Sequence, residues 1–150
     1  MSVNPYTYGT VKGVHRRIGW VVPNRQMFDG ETTPTMEDVE ATLDQTAAEI
    51  HMRLAKAGYP VSTAATLASE APRTSVWLAA LNEDGATVSI LGTLPQAFDP
   101  EQAGVNPYKS CKDRWDAGLK LIDSSALDEL DLYKAESESD QLYSGSTQDD

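Results

Sequence analysis

Between Met36 and Leu54 the large apolar residues recur at steps of three and four: Met36, Val39, Leu43, Ala47, Ile50, Leu54. Glu37, Glu40, Asp44 and Arg53 fall elsewhere around the cylinder, so the spacing predicts an amphipathic helix with one wet face. Its start admits two readings: Thr33 caps with Pro34 at the first helical position, or Thr35 caps with Asp38 answering three residues later. Lys56 suits the negative end of the helix dipole, Gly58 the left-handed terminating conformation, and Pro60 the stop. Burying each large side chain of the stripe is worth roughly 1.5–3 kcal/mol, so this helix needs a partner surface.

The same syntax recurs more weakly on either side. Thr10 caps a short helix through Val14 and Ile18 that turns His15, Arg16 and Arg17 outward. "VVPNRQMFDGETTP" then reads as a loop anchored by Met27 and Phe28. "VSTAATLASEA" is small and weakly patterned. Pro72 opens a further helix through Val76, Trp77, Ala80 and Leu81. "NEDGATVSILGTLP" either turns a hairpin at Asp84-Gly85 or continues the face of Trp77, Leu81, Val88 and Leu91 through a kink, which the spacing favours. "PQAFDPEQAG" is a connection. Asn106 and Pro107 then start a last helix with Tyr108, Cys111, Trp115, Leu119 and Ile122 on one face.

These elements predict an all-α fold: a bundle of about four helices over residues 1–122, with a long loop and an acidic tail over residues 123–150. From Asp123 onward nine acidic residues face Lys134 alone, which accounts for most of the net charge of -11. Leu127, Leu130, Leu132, Tyr133, Leu142 and Tyr143 are scattered through that stretch, and a purely solvated tail needs no such anchors. The expectation is a segment that orders on a partner or a neighbouring subunit.

The chain's 150 residues suit a single domain; an apolar fraction of 40% and no run of about 18 apolar residues argue against a membrane span. "MSVNPYTYGT" has neither a basic start nor an apolar stretch, so the expectation is a protein made and kept in a cytoplasm. The acidic balance opposes sequence-specific nucleic-acid binding.

The search for chemistry is short. Cys111 is the sole cysteine, and it reads as a buried helix residue and not as a nucleophile. No phosphate loop, dinucleotide fingerprint, H-E-x-x-H or nucleophile elbow occurs. His15 and His51 share no ligand spacing. Glu37 with Glu40 and Asp113 with Asp116 are pairs that helix surfaces supply freely. The reading is therefore no enzyme, no metal and no cofactor. His15 to Arg17 and Arg25 can touch phosphate, although small clusters of this kind more often pair with acidic neighbours. Trp77 and Trp115 fall among aliphatic residues at helical spacing and read as core first and interface second. Trp20, beside a loop, is the best exposed anchor.

The order of parts carries a resemblance. "YGTVKGVHRRIG", the loop ending in Phe28 and "TTPT", then "MEDVEATLDQTAAEIHMRLAKAGYP", a Trp/Leu/Ala helix, and "NPYKSCKDRWDAGLKLI" resemble the head-to-tail connector adaptors, or head completion proteins, of long-tailed bacteriophages and gene transfer agents. The resemblance spans about residues 6 to 122 and is strongest from Phe28 to Tyr59. The chain departs from that pattern between Val61 and Pro95, which is poor in large aliphatics, and in the acidic extension. The resemblance implies a structural protein of the virion neck, made in the host cytoplasm. Its protomers form a homo-oligomeric ring, usually dodecameric, beneath the portal protein. The ring joins the capsid to a stopper or tail-side neck protein and extends a channel through which DNA passes without sequence-specific binding. Carried onto this chain, portal contact falls to Trp115, Leu119, Ile122, Leu127, Leu130, Leu132 and Tyr133. Contact with a neighbour or the stopper falls to Trp20 and to Phe98, Asp99 and Glu101 in the loop from Thr93 to Gly104. The competing reading is a small helical regulatory or interaction protein with an acidic docking tail.

Overall fold

The computed structural model describes residues 2–93 and 107–134. Among them are five α-helices and no strand: α1 (Val11–Ile18), α2 (Met36–Ala57), α3 (Ala64–Glu70), α4 (Pro72–Gly92) and α5 (Pro107–Asp123). The fold is all-α, as the periodicities predict. Single 3₁₀ turns follow α1 at Gly19–Val21 and Pro23–Arg25, and another follows α5 at Ala126–Glu129.

Local signals set most of the boundaries. Thr10 Oγ1 accepts the Gly13 N–H at the start of α1. Between the two starts open to α2, the structure selects Thr35, whose hydroxyl accepts the Asp38 N–H at 3.0 Å while Asp38 returns a carboxylate to the Thr35 N–H. Gly58 closes the helix in the left-handed region at φ 92. The apolar stripe is buried from Val39 to Leu54, whereas Met36 stays exposed at the helix mouth. Glu40, assigned to the wet side by spacing, is buried.

The bundle has one helix more than expected. The weakly patterned stretch after Pro60 forms α3, capped by Thr63 Oγ1 on the Thr66 N–H, and it places a single large apolar residue, Leu67, in the core. One anchor in seven residues leaves no period to detect. The helical continuation favoured for residues 86–92 holds, without the kink: they belong to an unbroken α4, with no hairpin at Asp84-Gly85. Of the two loop anchors, Phe28 is buried and Met27 is exposed.

Helix α4 is central and packs on α5, α2, α3 and α1. Its surroundings divide the interior into two apolar cores. Leu78 and Leu81 join Ile50, Leu54, Leu67, Trp115, Leu119 and Ile122 in one; Ala86, Ile90 and Leu91 join Val14, Ile18, Phe28, Val39 and Leu43 in the other. Between them α4 carries buried Asn82, Glu83 and Asp84, a polar belt in the middle of the bundle. In the sequence that belt left a hairpin turn open as the alternative to the helix that the spacing favoured.

The helical body does not stop at Ile122. Leu127 and Leu132 are buried in the first core, and Leu130 packs against it. The Tyr59 hydroxyl donates to Asp128 at 2.9 Å; burial, then this carboxylate, pushes its pKa up. The stretch expected to order on a partner from residue 123 thus has its first part, through Leu132, seated on the protomer itself.

Candidate assembly surface

The belt on α4 ties the N-terminal segment, α1, α2 and α5 to the central helix. Asn82 Oδ1 accepts from the backbone N–H groups of Tyr8 and Gly9 at 3.1 and 2.9 Å, and its amide donates to the Leu43 carbonyl and the Thr46 hydroxyl at 3.1 and 2.8 Å. Glu83 accepts from the Thr10 N–H at 2.8 Å and from Arg17 at 3.0 Å. Asp84 receives Arg17 Nε at 2.9 Å on one side, and Arg114 Nε and Nη2 at 3.1 and 2.9 Å on the other. The fork of Arg114 on one carboxylate is a strong, directional pair, and the Asp84 carboxylate raises the Arg114 pKa over the lesser opposing effect of its burial. Arg17, expected to face outward, is therefore drawn inward to clamp α1 to α4, while Arg114 clamps α5.

The other polar groups singled out by sequence have local partners too. His15 Nε2 lies 3.0 Å from the carbonyl oxygens of both Arg25 and Gln26. His51 Nε2 donates to the Tyr6 carbonyl at 2.8 Å, and burial lowers the His51 pKa. Both imidazoles pin chain segments to helices. Cys111 is buried, and burial followed by the Asp84 charge raises its pKa, which suppresses the thiolate a nucleophile requires. Asp113 and Asp116 each take a lysine four residues earlier, at 2.8 and 3.2 Å, as exposed helix-surface pairs. Among the described residues no group of three or more His, Cys, Asp or Glu side chains is placed to hold a metal ion, and no helix is long and apolar enough to cross a membrane.

What remains on the outside is an apolar strip. At the start of α4, Asp131 accepts the backbone N–H groups of Arg73 and Thr74, each at 2.8 Å, and the Thr74 hydroxyl at 2.6 Å. This remote cap satisfies donors that Ala71, with no capping side chain, leaves open. It also draws Leu130 alongside, and Pro72, Arg73, Val76, Trp77, Ala80 and Leu130 line a groove of ≈ 650 Å³. Trp77 and Ala80 continue into a second hollow of ≈ 280 Å³ that runs across to Ala117 and Leu121 of α5. Val76 is 73% exposed and Leu121 44%. Asp84 and Arg114 border the second hollow, so the strip is a mainly apolar surface with one ion pair at its edge, a candidate interaction site.

This moves the contact assignments. Trp115, Leu119, Ile122, Leu127 and Leu132 are enclosed in the protomer's own core and are not available to touch a portal in the folded protomer. Their apolar spacing is explained by internal packing. Leu130 lines the groove and Tyr133 is 67% exposed, so these two of the seven stay on the surface. Trp20 is partly exposed, with its indole N–H donating to the Arg17 carbonyl at 3.3 Å. Phe98, Asp99 and Glu101, and the Asn106 cap, lie outside the described residues. Sequence reasoning missed Val76 and Leu121 as surface anchors: Val76 counts among the apolar residues of its helix, whereas Leu121 falls off the face of Tyr108, Cys111, Trp115, Leu119 and Ile122 and could have been noticed.

No protein-family model, curated protein or solved structure matches this chain.

The Asp131 cap gives the strip a pH dependence. Burial would push this carboxylate up, but the hydrogen bonds from Thr74 and from the Arg73 and Thr74 backbones outweigh it and hold the pKa below the usual 3.8. A depressed folded-state pKa adds stability that is complete above the unfolded-state value and disappears as pH falls through the folded one. Asp131→Ala is therefore expected to lower Tm by a constant amount from neutral pH down to about pH 4, with the gap narrowing only below that. Thermal scans of both proteins from pH 7 to pH 2 check it.

Proposed function

We propose that this chain is an adaptor subunit of a head-to-tail connector, a structural protein that assembles as a ring beneath a portal and extends the DNA channel toward a stopper or tail-side neck protein. The observation that carries the reading is the exposed apolar strip from Leu130 and Val76 to Leu121 on an otherwise well-packed helical body. A ring subunit needs a rigid body and faces that fit its neighbours. The belt on α4 supplies the first and the strip supplies the second. The all-α body suits that reading, since the segments that carry the resemblance fold as α1, α2, α4 and α5. A net charge of -11 suits a channel wall that does not hold phosphate, and it keeps unassembled copies soluble.

The strip is tested by charge insertion. The double variant Val76→Asp/Leu121→Asp should keep the helical signal and Tm within a few degrees, since both side chains already face solvent, and its incorporation into particles should fall at least tenfold. Met52→Asp, at a residue 72% exposed on α2, serves as the control and should incorporate normally. Normal incorporation of the double variant would remove the strip from the assembly.

A further inference from the structure

The groove is open in the free protomer, and Trp20, a partly exposed aromatic beside α1, is not among the residues that line it. Resting on the proposal that the strip is an assembly surface, we infer that its occupant is a second copy of this chain. Trp20 of one protomer seats between Val76, Trp77 and Leu130 of the next, with the cations around Trp20 set against the acidic rim of the groove.

No acidic residue precedes Asp29, whereas Lys12, Arg16, Arg17 and Arg25 all fall in that stretch. Arg17 is taken up by Glu83 and Asp84. Lys12, Arg16 and Arg25 are exposed and make no ion pair with the described residues. Lys12, Arg16 and Trp20 follow one another at steps of four through α1 and the 3₁₀ turn after it, and His15 holds the Arg25 carbonyl to the same helix. The rim of the groove has the opposite balance. Glu70 stands two residues before Pro72, and Glu129 and Asp131 flank Leu130, while the cation among the lining residues is Arg73. Asp131 is occupied by the Arg73 and Thr74 N–H groups, but Glu70 and Glu129 are exposed and in no ion pair with the described residues. Copies of net charge -11 repel one another in bulk, so a cationic edge meeting an acidic rim selects the orientation in which they approach.

The apolar parts fit as well. The Trp20 indole N–H donates to the Arg17 carbonyl within its own protomer, so the exposed edge of the ring enters an apolar groove without stranding a donor. A volume of ≈ 650 Å³ is in the range that takes a large aromatic side chain. Two different faces meet, so each copy of a pair still offers one anchor and one groove, the heterologous arrangement from which rings are built.

Sedimentation of the full chain over a concentration series tests the contact without particles; an adaptor whose strip meets the portal instead would fail this test and still enter particles. The unmodified chain should associate beyond a dimer, and Trp20→Ala should weaken that association about 30-fold. The exposed charges give a stricter check. Arg16→Glu/Arg25→Glu and Glu70→Arg/Glu129→Arg should each keep the helical signal and stay monomeric alone, and an equimolar mixture of the two should associate again. An unmodified chain that stays monomeric throughout the series would give the groove to a different protein, and association that stops at a dimer would exclude the heterologous contact. Association untouched by Trp20→Ala, or a mixture that stays monomeric, would show that this edge and this rim do not meet; each of these results overturns the proposal.

Discussion

Asn82→Ala is expected to lower the stability of the protein by about 3 kcal/mol or more, at the upper end of what single substitutions do. Asn82 is fully buried and accepts from two backbone N–H groups, those of Tyr8 and Gly9, while donating to Leu43 and Thr46. Alanine leaves two buried donors without their partner, each worth about 1–3 kcal/mol, and it opens a small void between the two apolar cores. The N-terminal segment is then held through Glu83 and Asp44, which accept from Thr10 and from Asn4 and Thr7. For a chain of this size a loss of 3 kcal/mol corresponds to roughly 10 °C in Tm. Thermal and urea unfolding followed by circular dichroism measure it. A loss under about 1 kcal/mol would show that Tyr8 and Gly9 are not secured by Asn82.

Gly85→Ala is the second large effect, and its sign is the informative part. In an exposed helix interior the exchange stabilises by about 1 kcal/mol. At Gly85 a Cβ would meet three ring carbons of Trp115 at 2.5 to 2.9 Å, and that ring is a rigid wall of the first core. Overpacking of this kind costs about 1–3 kcal/mol, so the variant is expected to be less stable by about 2 kcal/mol. Gly92→Ala, at the end of the same helix with nothing within 4 Å, gains by the ordinary propensity difference. A stabilised Gly85→Ala protein would mean that α5 does not approach α4 as closely as this packing requires.

These two positions also mark what was legible beforehand. Helices whose faces carry large aliphatics at steps of three and four, with Thr35, Gly58 and Pro72 at their ends, are readable because caps and periodicity are local. The belt is not. Asn82, Glu83, Asp84 and Gly85 left a hairpin open beside the favoured helix because their partners, Tyr8 to Thr10, Arg17 and Arg114, are distant in sequence. Asp131 is a further case, since a cap supplied from the far end of the chain carries no sequence signal at the helix it caps. Five of the seven residues assigned to portal contact prove buried for the related reason that spacing finds apolar faces without saying what covers them. Trp115, Leu119 and Ile122 are covered by the protomer itself, whereas Val76 and Leu121 are left exposed.

The central claim, that this chain is a ring subunit of the neck, is tested most directly by copy number. Peptide mass spectrometry with calibrated standards, applied to particles purified from the organism that carries the gene, should find the protein in mature particles at a fixed ratio close to that of the portal subunit. Its absence from mature particles would contradict the adaptor reading and favour a regulatory protein with an acidic docking tail.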